Sequence, residues 1–216
     1  ENVFRKIKPK LVLVQGDTST AFSAALAAFY LKIPVGHVEA GLRSNDIYDP
    51  YPEEINRRLI SQITSLHFAP TKTAYQNLIN SNVSGKIFIT GNTVIDALLL
   101  TAKKTKTKVI ENIDWNKNRI IFSTIHRREN WGENIEKIGE TLKEILKKYS
   151  DIVLLLPMHK NKGVREPLLE ILNNHPRAFL VEPLNYVDCV SALKFCYMLL
   201  TDSGGLQEEA PSLGKP

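Results

Sequence analysis

Leu11-Val12-Leu13-Val14-Gln15-Gly16-Asp17-Thr18 is the stretch that decides how this chain folds. Four consecutive apolar residues between polar neighbours fit a parallel strand buried on both faces, where the usual in-out alternation disappears. The Ala-rich residues 18–31 that follow read as a helix, and Val35-Gly36-His37-Val38 as a second strand. Strand, helix and strand close one unit whose crossover is right-handed.

The same alternation extends in both directions from there. A helix is predicted from Pro52-Glu53 to about Ser65, with Pro at its start and Ile55, Leu59 and Ile63 on one face. Strands at 67–69 and 86–89 flank a helix at 71–79. After Asn92-Thr93-Val94-Ile95-Asp96 the pattern loosens into the Lys-rich run 103–108 and then restarts. Strands at 119–124, 152–156, 178–181 and 197–201 alternate with helices at 133–148, 164–172 and 186–193. This predicts an α/β protein of two doubly wound, Rossmann-like halves with a cleft between them. The halves are expected at residues 1–97 and 118–216, joined by a linker at 98–117.

The 216 residues are 43% hydrophobic and 24% charged, ordinary for a soluble globular chain. The net charge of +5 is scattered apart from the Lys run, where no aromatic residues interleave, so nucleic acid is set aside as a partner. Cys189 and Cys196 fit buried structural roles, and no other cysteine offers a metal set. No apolar run approaches the roughly 20 residues that span a bilayer, and no signal peptide is recognised. The expectation is a cytoplasmic protein with no metal and no membrane partner.

Thr201-Asp202-Ser203-Gly204-Gly205-Leu206-Gln207-Glu208-Glu209 follows the last strand. Free N–H groups at a helix start, approached through glycine, attract an anion, and an acid one turn later suits sugar hydroxyls. An ordinary helix start capped by Ser or Asp accounts for the same residues.

Ligands of open parallel sheets bind beyond the carboxyl ends of the strands. Those ends carry Gln15-Gly16-Asp17, Glu39-Ala40-Gly41-Leu42-Arg43, His126-Arg127-Arg128-Glu129-Asn130 and Met158-His159-Lys160. Acids mark the first half, and bases with an anion site mark the second. Each has a plainer reading. Asp17 can cap a helix, Glu53 and Glu54 can complement a helix dipole, and Arg127 and Arg128 can be surface charge. His126 with Glu129 has a metal-site spacing, but the intervening Arg pair would repel a cation. His37 and His67 lie inside apolar strands and read as packing histidines.

Six segments occur in order: 15–18, 37–43, 52–57, 91–96, 126–130 and 202–215. With them the chain resembles the non-hydrolysing UDP-N-acetylglucosamine 2-epimerases along essentially its whole length. The resemblance implies a glycosyltransferase-B-like architecture and interconversion of UDP-GlcNAc and UDP-ManNAc, with no cofactor and no metal. By motif position, Asp17, Glu39 and Glu53 look like the family's catalytic carboxylates and His126 like its essential histidine. Ser203, Gly204 and Gly205 look like its diphosphate cradle, and Glu209 like its ribose ligand. Arg127 and His159 match positions that meet a second, allosteric UDP-GlcNAc in bacterial members. Ile125 stands where the family has Gly, which changes the approach to His126, and Tyr51 stands where Phe is common.

The chain opens at Glu1 and stops at Pro216, which leads to the expectation of an interior fragment that alone binds UDP poorly and turns over little. Full length, the family precedent is a homodimer. Three alternatives remain at this point: a hydrolysing UDP-GlcNAc 2-epimerase, a glycosyltransferase of the same fold, and a non-catalytic UDP-sugar-binding fragment.

Overall fold

The computed structural model describes residues 1–44, 46–105, 110, 112–127 and 130–216, and divides into two units, Glu1–Thr93 and Val94–Pro216. In the first, β1 (Val12–Gln15), β2 (Val35–Val38), β3 (Leu66–Ala69) and β4 (Lys86–Ile89) form a parallel sheet in that order. Helix α2 (Ser19–Tyr30) starts at Thr18, whose hydroxyl accepts from the Ala21 amide at 3.1 Å. Its buried stripe is Ala21, Ala25 and Ala28, small enough to bring the helix close onto Val12, Val14 and Val35. Helix α3 (Glu53–Ile63) adds Ile60 to that core, and α4 (Lys72–Asn80) packs Ala74 and Leu78 against Ala40 and Ala69.

Strand pairing puts these contacts on one face of the sheet, as right-handed crossovers in sequential strand order require. Leu13, Gly36, Phe68 and Phe88 lie on the other face, with Leu13 60% exposed and the two Phe rings stacked 5.8 Å apart. A short helix, α1 (Asn2–Ile7), which the periodicity does not announce, buries no residue.

The second sheet is also parallel, in the order β7 (Ala178–Val181), β6 (Ile152–Pro157), β5 (Arg119–Thr124), β8 (Met198–Thr201). β5 and β6 are buried along almost their whole length, as their unbroken apolar runs require. On one face, α6 (Glu133–Lys148) presents Ile135, Leu142 and Leu146, and α7 (Lys162–Leu172) presents Val164, Leu168 and Leu172. On the other face lie α5 (Thr93–Lys104), α8 (Tyr186–Phe195) and α9 (Gly204–Ser212). The chain runs outward from β5 through β6 to β7, then returns past β5 to β8. The strand order therefore reverses between β5 and β8.

The expected linker at 98–117 is corrected by this packing. Leu98 and Ala102, one turn apart on α5, join Ile113 and Trp115 in the second core, and Lys194 Nζ donates to the Ala102 carbonyl at 2.7 Å. These residues belong to the second unit, whose boundary falls at Thr93 rather than 97. Lys106 and Lys108 of the Lys-rich run lie outside the described residues.

Candidate functional site

In a doubly wound sheet the crevice opens where the strand order reverses. Here that point lies between β5 and β8, so the segments after these two strands flank it. Asp202 ties them together. Its carboxylate accepts the backbone N–H groups of His126 at 3.0 Å and Arg127 at 2.9 Å, and the Asn130 side-chain amide at 2.9 Å. The other oxygen lies 2.8 Å from His126 Nδ1. Below it, the hydroxyls of Thr124 and Thr201 bond at 2.5 Å, and Thr201 Oγ1 accepts the Ser203 amide at 2.9 Å. Burial alone raises the Asp202 carboxyl pKa. The N–H groups of Arg127, His126 and Asn130, with the His126 ring, outweigh that and hold it below the usual carboxylate range.

A carboxylate can only accept, so the neutral His126 ring carries its proton on Nδ1 and leaves Nε2 free to exchange a proton elsewhere. His126 is 45% exposed while Asp202 is 13% exposed, so a solvent-facing ring rests on a sheltered anchor. From the sequence Asp202 is a candidate only as a helix cap, although it directly follows β8, where ligand-binding residues concentrate.

Because Asp202 is committed to the segment after β5, it does not cap α9. Ser203 occupies the cap position of the helix that Gly204 and Gly205 begin and makes no side-chain capping bond. A methyl at Gly204 would stand 3.4 Å from Arg127 Nη2. Helix start and guanidinium therefore present positive charge to one place. His126, His159, Lys160, Ser203 and Leu206 line a groove of about 440 Å³. His159 Nδ1 accepts the Asn161 amide at 3.1 Å, leaving its Nε2 to carry the proton.

Glu209 lies one turn further into α9 and is buried. Burial first, then the charge of Glu208, raises its carboxyl pKa, and Tyr186 and Cys189 on α8 are raised by burial first and then by the charge of Glu209. It therefore faces α8. Ile125, in place of glycine, keeps an ordinary backbone conformation and buries its side chain among Ile135, Leu156 and their neighbours. Arg128 and Glu129 lie outside the described residues.

In the first unit the acids gather at the ends of β1 and β2. Asp17 pairs with Arg57 on α3, and its carbonyl accepts from Asn56 Nδ2 at 2.9 Å. Glu39 holds φ +66°, the left-handed region that a side chain seldom occupies, and its Oε2 lies 3.5 Å from where a Cβ at Gly16 would be. Gly16, itself at φ +66°, therefore lies directly against this carboxylate. Glu53 opens α3, where its charge also suits the helix dipole. Its neighbour Glu54 is fully buried and structural: it accepts from Arg58 Nε at 2.6 Å and from the Ser44 amide at 2.9 Å, pinning the segment before α3.

Among the described residues no group of three or more His, Cys, Asp or Glu side chains is arranged to hold a metal ion, and no helix is long and apolar enough to cross a membrane. Cys189 and Cys196 are free thiols, both pushed up to about 11 by burial, which suits the inert packing roles expected for them.

A family model for UDP-N-acetylglucosamine 2-epimerase matches residues 1–216. The UDP-N-acetylglucosamine 2-epimerase of Neisseria meningitidis serogroup A is 46% identical over 223 residues, 100% of this chain and 60% of that protein. The S. aureus MnaA–UDP co-structure superposes with a TM-score of 0.94 at 46% identity, covering 100% of this chain and 59% of that one. The N. meningitidis UDP-GlcNAc 2-epimerase bound to UDP-GlcNAc gives 0.92 at 46% identity, covering 100% and 60%. A trehalose 6-phosphate synthase from Burkholderia multivorans, 11% identical with a TM-score of 0.58, shares the fold alone. This chain thus spans about three fifths of these relatives' length (59% and 60%). Matched from its first residue to its last, and carrying the motif residues at the strand ends where that fold places its chemistry, the chain belongs to the UDP-N-acetylglucosamine 2-epimerase family.

Proposed function

We propose that this chain carries the chemistry of a non-hydrolysing UDP-N-acetylglucosamine 2-epimerase, interconverting UDP-GlcNAc and UDP-ManNAc. The observation that carries the reading is the start of α9. Ser203 makes no side-chain capping bond there, Gly204 lies beside Arg127, and Ser203 and Leu206 line the groove shared with His126, whose ring rests on Asp202. Negative charge grows on the β-phosphate oxygen as the C1–O bond breaks, and preformed N–H dipoles with a guanidinium stabilise it.

In the proposed reaction a carboxylate removes the C2 proton, the C2 electron pair forms the ring double bond, and the C1–O pair departs with UDP. UDP then re-adds to the glycal while a proton arrives at the opposite face of C2. Electrons balance between the two half-reactions, so no redox cofactor is called for. Asp17, Glu39 and Glu53 are the candidates for the proton transfers, and His126, presenting Nε2, for proton exchange or charge at the leaving phosphate. Ser203, Gly204 and Gly205 hold the diphosphate, and Glu209 the ribose. Arg127 and His159 bind this nucleotide or a second, activating one. The full-length protein is proposed to be a homodimer, which light scattering decides.

Incubating full-length protein with UDP-GlcNAc in deuterated water tests the activity. Deuterium at C2 of both recovered UDP-sugars is expected. Release of free N-acetylmannosamine, or unexchanged substrate, refutes it.

A further inference from the structure

His37 lies on β2, with its ring fully buried, and has no part in the chemistry above. Its Nε2 is 2.8 Å from the Gly16 carbonyl, and its Nδ1 is buried with no hydrogen-bond partner. A carbonyl cannot donate, so the ring is the Nε2–H tautomer and forms one bond only. That bond completes a grip on Gly16. The Gly16 amide already donates to the Val38 carbonyl at 3.1 Å, so β2 holds both polar groups of a residue whose φ is +66°. The next peptide carries Asp17, fixed in turn by Asn56 and Arg57. Two residues beyond His37 is Glu39, whose carboxylate lies against Gly16, 3.5 Å from where a Cβ there would be.

We infer that His37 is a positioning residue: its Nε2–H···O=C bond to Gly16 locks the peptide that aims Asp17 and that lies against the Glu39 carboxylate, so one buried ring sets the geometry of both acids. The inference rests on the reading of those acids as catalytic.

His67 provides the internal comparison. It pairs with His37 in register on β3, is equally buried, donates from Nε2 to the Ser84 carbonyl at 2.8 Å, and also has an unpartnered Nδ1. Its bond ends just before β4, at the amino ends of the strands and not at the carboxyl ends that carry the acids. Burial, packing and lone-pair cost are shared by the two rings, whereas contact with the Asp17 turn belongs to His37.

In the full-length protein, H37L is expected to lower kcat about 10- to 100-fold with KM for UDP-GlcNAc nearly unchanged, because a misaimed acid slows chemistry without touching the diphosphate site. H37Q, whose amide reaches about as far as Nε2, restores most of kcat, and H37N, which is shorter, does not. H67L lowers thermal stability but leaves kcat in place. Wild-type kcat in H37L, equal kcat losses in H37L and H67L, or no difference between H37Q and H37N overturns the inference. Should H37L not fold, the Gln and Asn variants decide. Long-range ¹H–¹⁵N spectra of the wild type read the bond independently of turnover. A neutral Nε2–H ring at His37 supports the inference, and an Nδ1–H or charged ring at pH 7 overturns it. Absence of C2 exchange in the wild type with that tautomer present refutes the proposed activity instead.

Discussion

Asp202 Oδ1 lies 2.8 Å from His126 Nδ1, joining residues 76 positions apart at the point where the second sheet reverses its strand order. The same carboxylate holds the backbone of the His126 segment, so orientation of the ring and of its peptide have one cause. In D202N one oxygen becomes an amide donor facing existing N–H donors. The kcat of D202N and D202A is expected to fall about 100-fold or more, with a smaller change in KM. Steady-state kinetics on the full-length protein check this, and D202N turning over at the wild-type rate sinks it.

The proposed diphosphate site makes UDP binding depend on the approach to α9. In G204V a branched side chain meets the Arg127 guanidinium and blocks the first N–H groups, and R127A removes the cation. Each is expected to weaken UDP binding about 10- to 100-fold, the worth of one or two hydrogen bonds to a charged group. Calorimetric titration of UDP reads it, and unchanged affinity in both variants removes the diphosphate assignment.

Stability depends on pH through His37. Burial lowers its pKa from 6.5 to about 4, with the Gly16 hydrogen bond opposing the shift. The unfolded chain therefore binds the extra proton between those values, and stability rises with pH across that window. The contribution, about 3 kcal/mol, is present above pH 6.5 and lost as pH falls to about 4. Urea midpoints at pH 4.5 and 7 should differ in the wild type and differ less in H37Q; matching pH dependences in the two proteins contradict the expectation.

Gly41 holds φ +89°, and a Cβ there would lie 2.2 Å from the Ala74 carbonyl oxygen on α4. Backbone strain and overlap act together, so G41A should destabilise the first unit by about 3 kcal/mol or more. Denaturant unfolding followed in that unit provides the measurement, with a shift below about 1 kcal/mol as the contrary result.

Leu98 tests the ownership of α5. Its side chain is fully buried in the core with Trp115 and Leu193. L98A is expected to cost about 2 to 5 kcal/mol and to lower protection from hydrogen exchange in β5 and β8, leaving β1 to β4 unchanged. Lost protection in the first sheet alone would assign the helix the other way.

Local pattern was enough for most of the elements. β2, β4, β5, β7 and α6 lie where apolar runs, period and turn residues put them, because these signals report each segment's own burial. The two α/β units, the strand ends carrying Asp17, Glu39 and His126, and the glycine start of α9 were legible for the same reason. Tertiary structure decided which side chain meets which distant partner. α5 joined the second core because Leu98 and Ala102 found Ile113 and Trp115. Asp202 became the anchor of His126 because β5 and β8 pair with Thr124 beside Thr201. His37, readable only as a core histidine, reached the Gly16 carbonyl because β1 and β2 pair in one register. Periodicity records how much of a residue is buried, whereas a hydrogen bond across a sheet depends on register, which no single segment contains.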